Sequence, residues 1–147
     1  MTNPSHSARK AYPMHDPGPD SAPAPAPTLE LDLLAVPKVV PELRRTLSGW
    51  HPHGPHPDVQ LCVSELLSNV IRHLGEGTPV TVRLTRAPGR IRVAVTDPDP
   101  RVWPVLRTAA GDDETGRGLA LLDAVSLRWG VEQGPDSKTV WCELGEG

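Results

Sequence analysis

Two alternating runs, Val80, Val82, Leu84 and then Ile91, Val93, Val95, are joined by Ala87-Pro88-Gly89-Arg90. Proline followed by glycine is the preferred centre of a type II turn, so the two runs read as an antiparallel hairpin with one apolar face. That face has to be covered by other elements of the chain. Side chains alternate along a strand, so Asp97 shares the inward side of Ile91, Val93 and Val95. An acid closing a strand is commonly just the entry to a loop. An inward-facing one needs a partner, and a ligand can supply it.

The best candidate for the cover is the segment from about Val59 to Leu74, opened by Asp58 as a cap and stopped by Gly75. Within it Glu65, Asn69 and His73 stand four apart. At a helical rotation of about 100° per residue they drift by only about 40° each and form one polar stripe. Leu66, Leu67, Val70, Ile71 and Leu74 flank the stripe, which wedges it against a core rather than leaving it in open water. A boundary helix with polar residues at the solvent margin is the plain explanation. Two features downstream favour a functional one: the inward Asp97, and a Gly116-Arg117-Gly118 turn that opens a later helix.

The remaining elements fall into place around these. Residues 1–27 carry seven prolines and almost no large apolar side chains, a composition expected of a disordered tail. From Thr28, Leu29, Leu31 and Leu33 alternate with Glu30 and Asp32 as a half-buried strand. Pro37 suits the first turn of a helix carrying Val39, Val40, Leu43 and Leu47, which ends at Ser48-Gly49. The prolines of residues 51–57 enforce a loop. Its three histidines, His51, His53 and His56, match no zinc spacing, so an exposed turn is expected rather than a metal site. Residues 98–115 are too rich in proline and charge for regular structure apart from one turn around Val102 to Leu106, and a connection of that length is expected to be a functional lid or a disordered excursion. Leu119, Leu121, Leu122 and Val125 then mark a short helix. Leu127, Trp129, Val131 and Val140, Cys142, Leu144 mark two strands around a turn at 134–137. The order strand, helix, helix, strand, strand, lid, helix, strand, strand implies an α+β two-layer sandwich, a mixed but mainly antiparallel sheet with helices on one face.

Bulk properties narrow the chemistry. A chain of 147 residues has room for one domain, expected at 28–147. A net charge of −3 argues against nucleic acid as the main partner. No stretch reaches the roughly 18 apolar residues of a membrane span, and the N-terminus lacks the order of a signal peptide, so a cytoplasmic protein is expected with no membrane partner. Cys62 and Cys142 read as reduced core residues. A P-loop lysine is absent, so any nucleotide is held another way.

Taken in order, the helix carboxamide Asn69, the strand-end Asp97 and the Gly116-Arg117-Gly118-Leu119 turn resemble the N box and the two glycine boxes of the GHKL ATPase superfamily, which has the Bergerat-type ATP-binding fold. The Glu-Leu-x-x-Asn-x-x-x-His form and the short Gly-Arg-Gly-Leu version look most like the bacterial anti-sigma factor serine/threonine kinases. The resemblance spans residues 29–144 and implies ATP and Mg²⁺ as cofactors. It further implies an anti-sigma factor antagonist as phosphoryl acceptor, a sigma factor as a second partner, and room for a homodimer.

On this resemblance Asp97 accepts a hydrogen bond from the exocyclic amine of adenine, and Asn69 is a neutral oxygen ligand for Mg²⁺. The backbone amides of Gly116, Arg117, Gly118 and Leu119 face phosphate at a helix mouth. Glu65, one turn before Asn69, is the candidate general base for the acceptor hydroxyl. A helix salt bridge, or a hydrogen bond to a metal-bound water, fits that carboxylate as well. His73 reads as structural. Arg117 reads as a phosphate contact or as an exposed arginine of the lid. Lys138 shares the parity of Val140, which brings it toward the nucleotide, while Thr139 faces the other way.

Two departures stand out. Asp97-Pro98-Asp99-Pro100-Arg101 replaces the family's Asp-x-Gly-x-Gly, and Asp112-Asp113-Glu114 places three acids before the phosphate turn. Both weaken the expectation of tight ATP binding. A catalytically inactive protein-binding module with the same fold is therefore the competing reading. The catalytic domain of a histidine kinase is disfavoured, since no phosphoacceptor helix pair precedes the fold.

Overall fold

The computed structural model describes residues 28–52, 54–102, 105 and 116–146, with backbone alone at 116–119. The elements run β1 (Thr28–Ala35), α1 (Val39–Trp50), α2 (Pro57–Leu74), β2 (Thr78–Ala87), β3 (Arg90–Asp97), α3 (Gly116–Val125), β4 (Arg128–Gln133) and β5 (Lys138–Gly145). The five strands form one sheet in the order β1-β2-β3-β5-β4. All four pairings are antiparallel, so the sheet is simpler than the mixed one expected. The expected tail (residues 1–27) and most of the expected lid lie outside the described residues.

The alternating sequence pattern explains which way the sheet faces. Val80, Val82, Leu84, Ile91, Val93, Val95, Val140, Cys142 and Leu144 are all buried on the helix side. In β1, Leu29, Leu31 and Leu33 pack against the same core, and among the described residues β1 pairs with β2 alone, at one edge of the sheet. α2 lies across the layer, contacting α1, α3, β1, β2, β3 and β5, and buries Val59, Cys62, Val63, Leu66, Leu67 and Val70. Gly89 adopts φ +78° at the hairpin tip, as a type II turn requires of its third residue. Among the described residues, no helix is long and apolar enough to cross a membrane.

Several local expectations shift. α2 is capped by His56, whose Nδ1 accepts from the Val59 amide at 3.4 Å; Pro57 takes the first helical position and Asp58 lies in the first turn. The cap therefore sits two residues before Asp58. α1 continues through Gly49 to Trp50, and Gly116-Arg117-Gly118 is itself the first turn of α3. Leu127 lies outside β4 and is exposed.

The histidine loop is not an exposed turn throughout. His51 is buried, and its Nε2 lies 3.2 Å from Glu146 Oε2, which also accepts from Arg86 Nε at 2.8 Å. The Arg86 hydrogen bond and charge hold the Glu146 carboxyl below its usual range, with a smaller contribution from His51. This cluster ties the α1–α2 loop to the hairpin end of the sheet. Among the described residues, no group of three or more His, Cys, Asp or Glu side chains is placed to hold a metal ion.

The solvent-side face of the sheet holds a surprise. Trp141 and Glu143 point away from the helices, yet both are buried. Glu143 accepts from Arg128 at 2.9 Å, Arg90 at 3.1 Å and Arg92 at 3.4 Å. Arg92 stacks over the Trp141 ring at 4.2 Å from its centroid. Burial pushes the Glu143 carboxyl up, but Arg128, Arg90 and Arg92 outweigh it and leave it below the usual range. Cys62 and Cys142 are both buried and free. The neighbouring Cys62 thiol and burial push the Cys142 thiol well up, so Cys142 stays protonated and packs as a small apolar group.

Candidate functional site

A cavity of about 210 Å³ opens where the C-terminal half of α2 meets the ends of β3 and β5. Asn69, Val70, His73, Leu74, Asp97, Asp99, Arg101, Val105 and Lys138 line it. Helix spacing supplies Asn69 and His73 from one face of α2. Strand parity and cross-strand register supply Asp97 and Lys138, which are direct partners in the β3–β5 ladder. Two residues singled out in the sequence, Asn69 and Asp97, thus share one cavity. Its volume is below the roughly 300–1,000 Å³ of a full small-molecule pocket and suits one end of a nucleotide.

Asn69 is 7% exposed and lines the cavity, and no hydrogen bond of its side chain is seen among the described residues. Its amide is not one of the enclosed polar atoms left without a partner, so it opens on the cavity, where a ligand can reach it. Glu65 is half-buried one turn earlier, is not among the described residues lining the cavity, and forms no ion pair among them. The helix salt bridge that its position allowed is therefore not made there. His73 is exposed at the rim.

Asp97 is firmly held. Its Oδ1 accepts from the Asp99 amide at 2.9 Å and from Lys138 Nζ at 3.1 Å, and its Oδ2 lies 3.0 Å from the same nitrogen. Lys138 also donates to the Asp99 carbonyl at 3.3 Å. The Asp97-Pro98-Asp99 segment that replaces the glycines folds into a turn closed by its own first side chain. The prolines stiffen it, and Lys138 buttresses it from β5. Lys138 was expected near the nucleotide; its ion pair with Asp97 could not be seen without the strand register.

Arg101 is paired with Asp99 through its Nε and one terminal nitrogen, Nη2. The Arg101 hydrogen bond lowers the Asp99 carboxyl from 3.8 to about 2, against an upward push from burial. A depressed carboxylate stabilises the fold above its unfolded value and loses that contribution as pH falls through the folded one. Here the loss runs from about 3.8 down to about 2. Arg101→Ala should return the Asp99 titration toward 3.8, read from its side-chain carboxyl signal by NMR. Little change in melting temperature at neutral pH should follow, since the Arg101 side chain is 70% exposed. An Asp99 titration that stays near 2 would show that another group holds it down.

Gly116, Arg117, Gly118 and Leu119 form the start of α3, which packs against α2. The side chains of Arg117 and Leu119 lie outside the described residues, as does the acidic run Asp112-Asp113-Glu114. A larger recess of about 710 Å³ lies at the opposite end of the sheet, lined by His51, His56, Arg86 and Glu146 among others. His51 and Arg86 engage Glu146 there, and it contains none of the residues singled out for nucleotide chemistry. The smaller cavity is the chemically credible one.

Residues 30–143 match the histidine kinase-like ATPase domain family. The chain belongs to that family, and ATP is the ligand that membership implies. The uncharacterized protein SCO4941 of Streptomyces coelicolor is 61% identical over 83 residues, a match covering 55% of this chain and 79% of that one.

Proposed function

We propose that this protein is an ATP-dependent serine/threonine kinase of the anti-sigma factor type, transferring phosphate to an antagonist protein in a partner-switching pathway. The observation that carries the reading is that Asn69 and the buried Asp97 carboxylate line the same cavity. The donor set fits the implied groups: Asp97 offers an acceptor to an amine, and Asn69 offers a neutral oxygen to Mg²⁺. When bound, Mg²⁺ neutralises charge on the phosphates and orients them.

The chain's own residues divide the remaining tasks. Asp97 selects and positions the base. The amides opening α3 accommodate anionic oxygens at a helix N-terminus, with Gly116 and Gly118 allowing close backbone approach. Glu65 takes the proton of the acceptor hydroxyl. It is half-buried and has no ion-pair partner among the described residues, which suits a base reached by a docked protein substrate.

A second reading, a docking module that has lost phosphotransfer, is favoured by one feature: Lys138 and Asp99 already engage Asp97 from inside the fold. Transfer of labelled γ-phosphate from ATP to a co-purifying antagonist with an exposed serine distinguishes the two. Serine phosphorylation supports the kinase; ATP binding without transfer supports the docking module.

Asn69→Ala should abolish the Mg²⁺-dependent part of ATP affinity without loss of fold, because the amide lines the cavity as a ligand rather than as an apolar core group. Titration calorimetry with and without Mg²⁺ checks this. Equal Mg²⁺ dependence in the variant and the parent would remove Asn69 from the metal site.

A further inference from the structure

We propose that the recess at the hairpin end of the sheet is a second ligand site, which binds a small monocarboxylic acid with an apolar body: the Arg86 guanidinium takes the carboxylate, and the His56 ring supplies a further donor. This site lies at the opposite end of the sheet from the nucleotide cavity and is independent of it.

The recess measures about 710 Å³, within the roughly 300–1,000 Å³ of small-molecule pockets. It lies where the start of α2 meets the β2–β3 hairpin, and it already holds one carboxylate. Glu146, the residue after β5, donates its amide to the Gly89 carbonyl at 3.1 Å. Its Oε2 takes Arg86 Nε at 2.8 Å and lies 3.2 Å from His51 Nε2. An ionised carboxylate only accepts, so His51 donates from that nitrogen. The Glu146 carboxyl is held below its usual range, chiefly by Arg86, so this corner of the fold favours an anion.

That internal pair leaves donors over. Arg86 engages Glu146 through Nε, and neither of its terminal nitrogens makes a hydrogen bond among the described residues. A guanidinium presents its N–H groups as a planar fork that matches the two oxygens of a carboxylate. The Arg86 side chain is 26% exposed, reachable from solvent yet partly desolvated. His56 accepts the Val59 amide at Nδ1, which places the ring proton on Nε2 and makes that nitrogen a donor. Glu146 already balances the charge of Arg86, so a monoanion is received with less repulsion than a phosphate dianion. Pro55 and Pro57 add apolar lining for the body of the ligand.

Benzoate is the probe, titrated into the full chain at constant ionic strength and followed by NMR at the Arg86 Nε–H and the backbone amides. Benzamide, of nearly the same shape without the charge, is the control. Benzoate should shift the Arg86 Nε–H and the amides of Gly89 and Glu146 saturably, while those of Asn69 and Asp97 stay in place. Benzamide should bind more weakly by about tenfold or more, the scale of a lost charge-assisted hydrogen bond. Arg86→Lys, which keeps the charge but not the fork, should weaken benzoate by about tenfold. Glu146→Gln, which removes the neighbouring negative charge, should strengthen it by about threefold. If Arg86→Lys does not fold, the wild type and Glu146→Gln decide. Equal binding of benzoate and benzamide would show an apolar crevice that reads no charge, and would overturn the proposal. Undiminished benzoate binding by folded Arg86→Lys would overturn it too, as would the absence of any saturable shift in both the wild type and Glu146→Gln.

Discussion

Glu65→Gln is expected to keep most ATP affinity while phosphotransfer falls by about 10²-fold or more, the usual worth of a positioned general base. The substitution preserves shape and removes only the proton acceptor. Glu65 has no ion pair among the described residues and is half-buried, so the fold has little to lose. It also stands apart from the described lining of the cavity that holds Asn69 and Asp97, which separates chemistry from binding. Single-turnover transfer to the antagonist, measured beside ATP affinity, reads both quantities. Unchanged transfer would reduce Glu65 to a structural residue. Lost ATP affinity with intact folding would place it at the metal instead.

The largest effect on stability is expected at Trp129, which is fully buried and donates from Nε1 to Asp123 Oδ1 at 2.8 Å. It joins β4 to α3, the helix that opens with the glycine turn, so packing in the core and the placement of that turn are linked. Trp129→Ala should cost about 3–5 kcal/mol, the range for truncating a large buried aromatic. Trp129→Phe keeps most of the ring and loses the hydrogen bond, and should cost less, about 1–3 kcal/mol. Urea denaturation measures both. A loss under about 1 kcal/mol for the alanine variant would show that β4 and α3 are not coupled in this way.

The sequence and the structure agree where a single element decides the matter. Parity alone placed Asp97 on the inward face, and a four-residue spacing alone put Asn69 and His73 on one side of a helix; both survive in the cavity lining. What escaped were pairings between distant segments. The ion pair of Lys138 with Asp97 depends on the β3–β5 register, which no local pattern states. The contact between His51 and Glu146 joins residues 95 positions apart. Trp141 and Glu143 fall on the face that alternation marks as solvent-facing, and they are buried because arginines from β3 and β4 converge on them. The cap of α2 was misplaced for a local reason: a histidine nitrogen took a role for which Asp58 was the better statistical candidate.

The central claim is that the cavity between α2 and the β3–β5 end of the sheet is where ATP binds. Hydrogen exchange of the full chain, with and without saturating Mg²⁺-ATP, tests it most directly. Protection should gather on the C-terminal half of α2 from Asn69 to Leu74, on Asp97 to Arg101, and on the opening turn of α3 from Gly116 to Leu119. The recess around His51, Arg86 and Glu146 should be unaffected. Protection confined to that recess, or no change at any amide with millimolar nucleotide, would contradict the account.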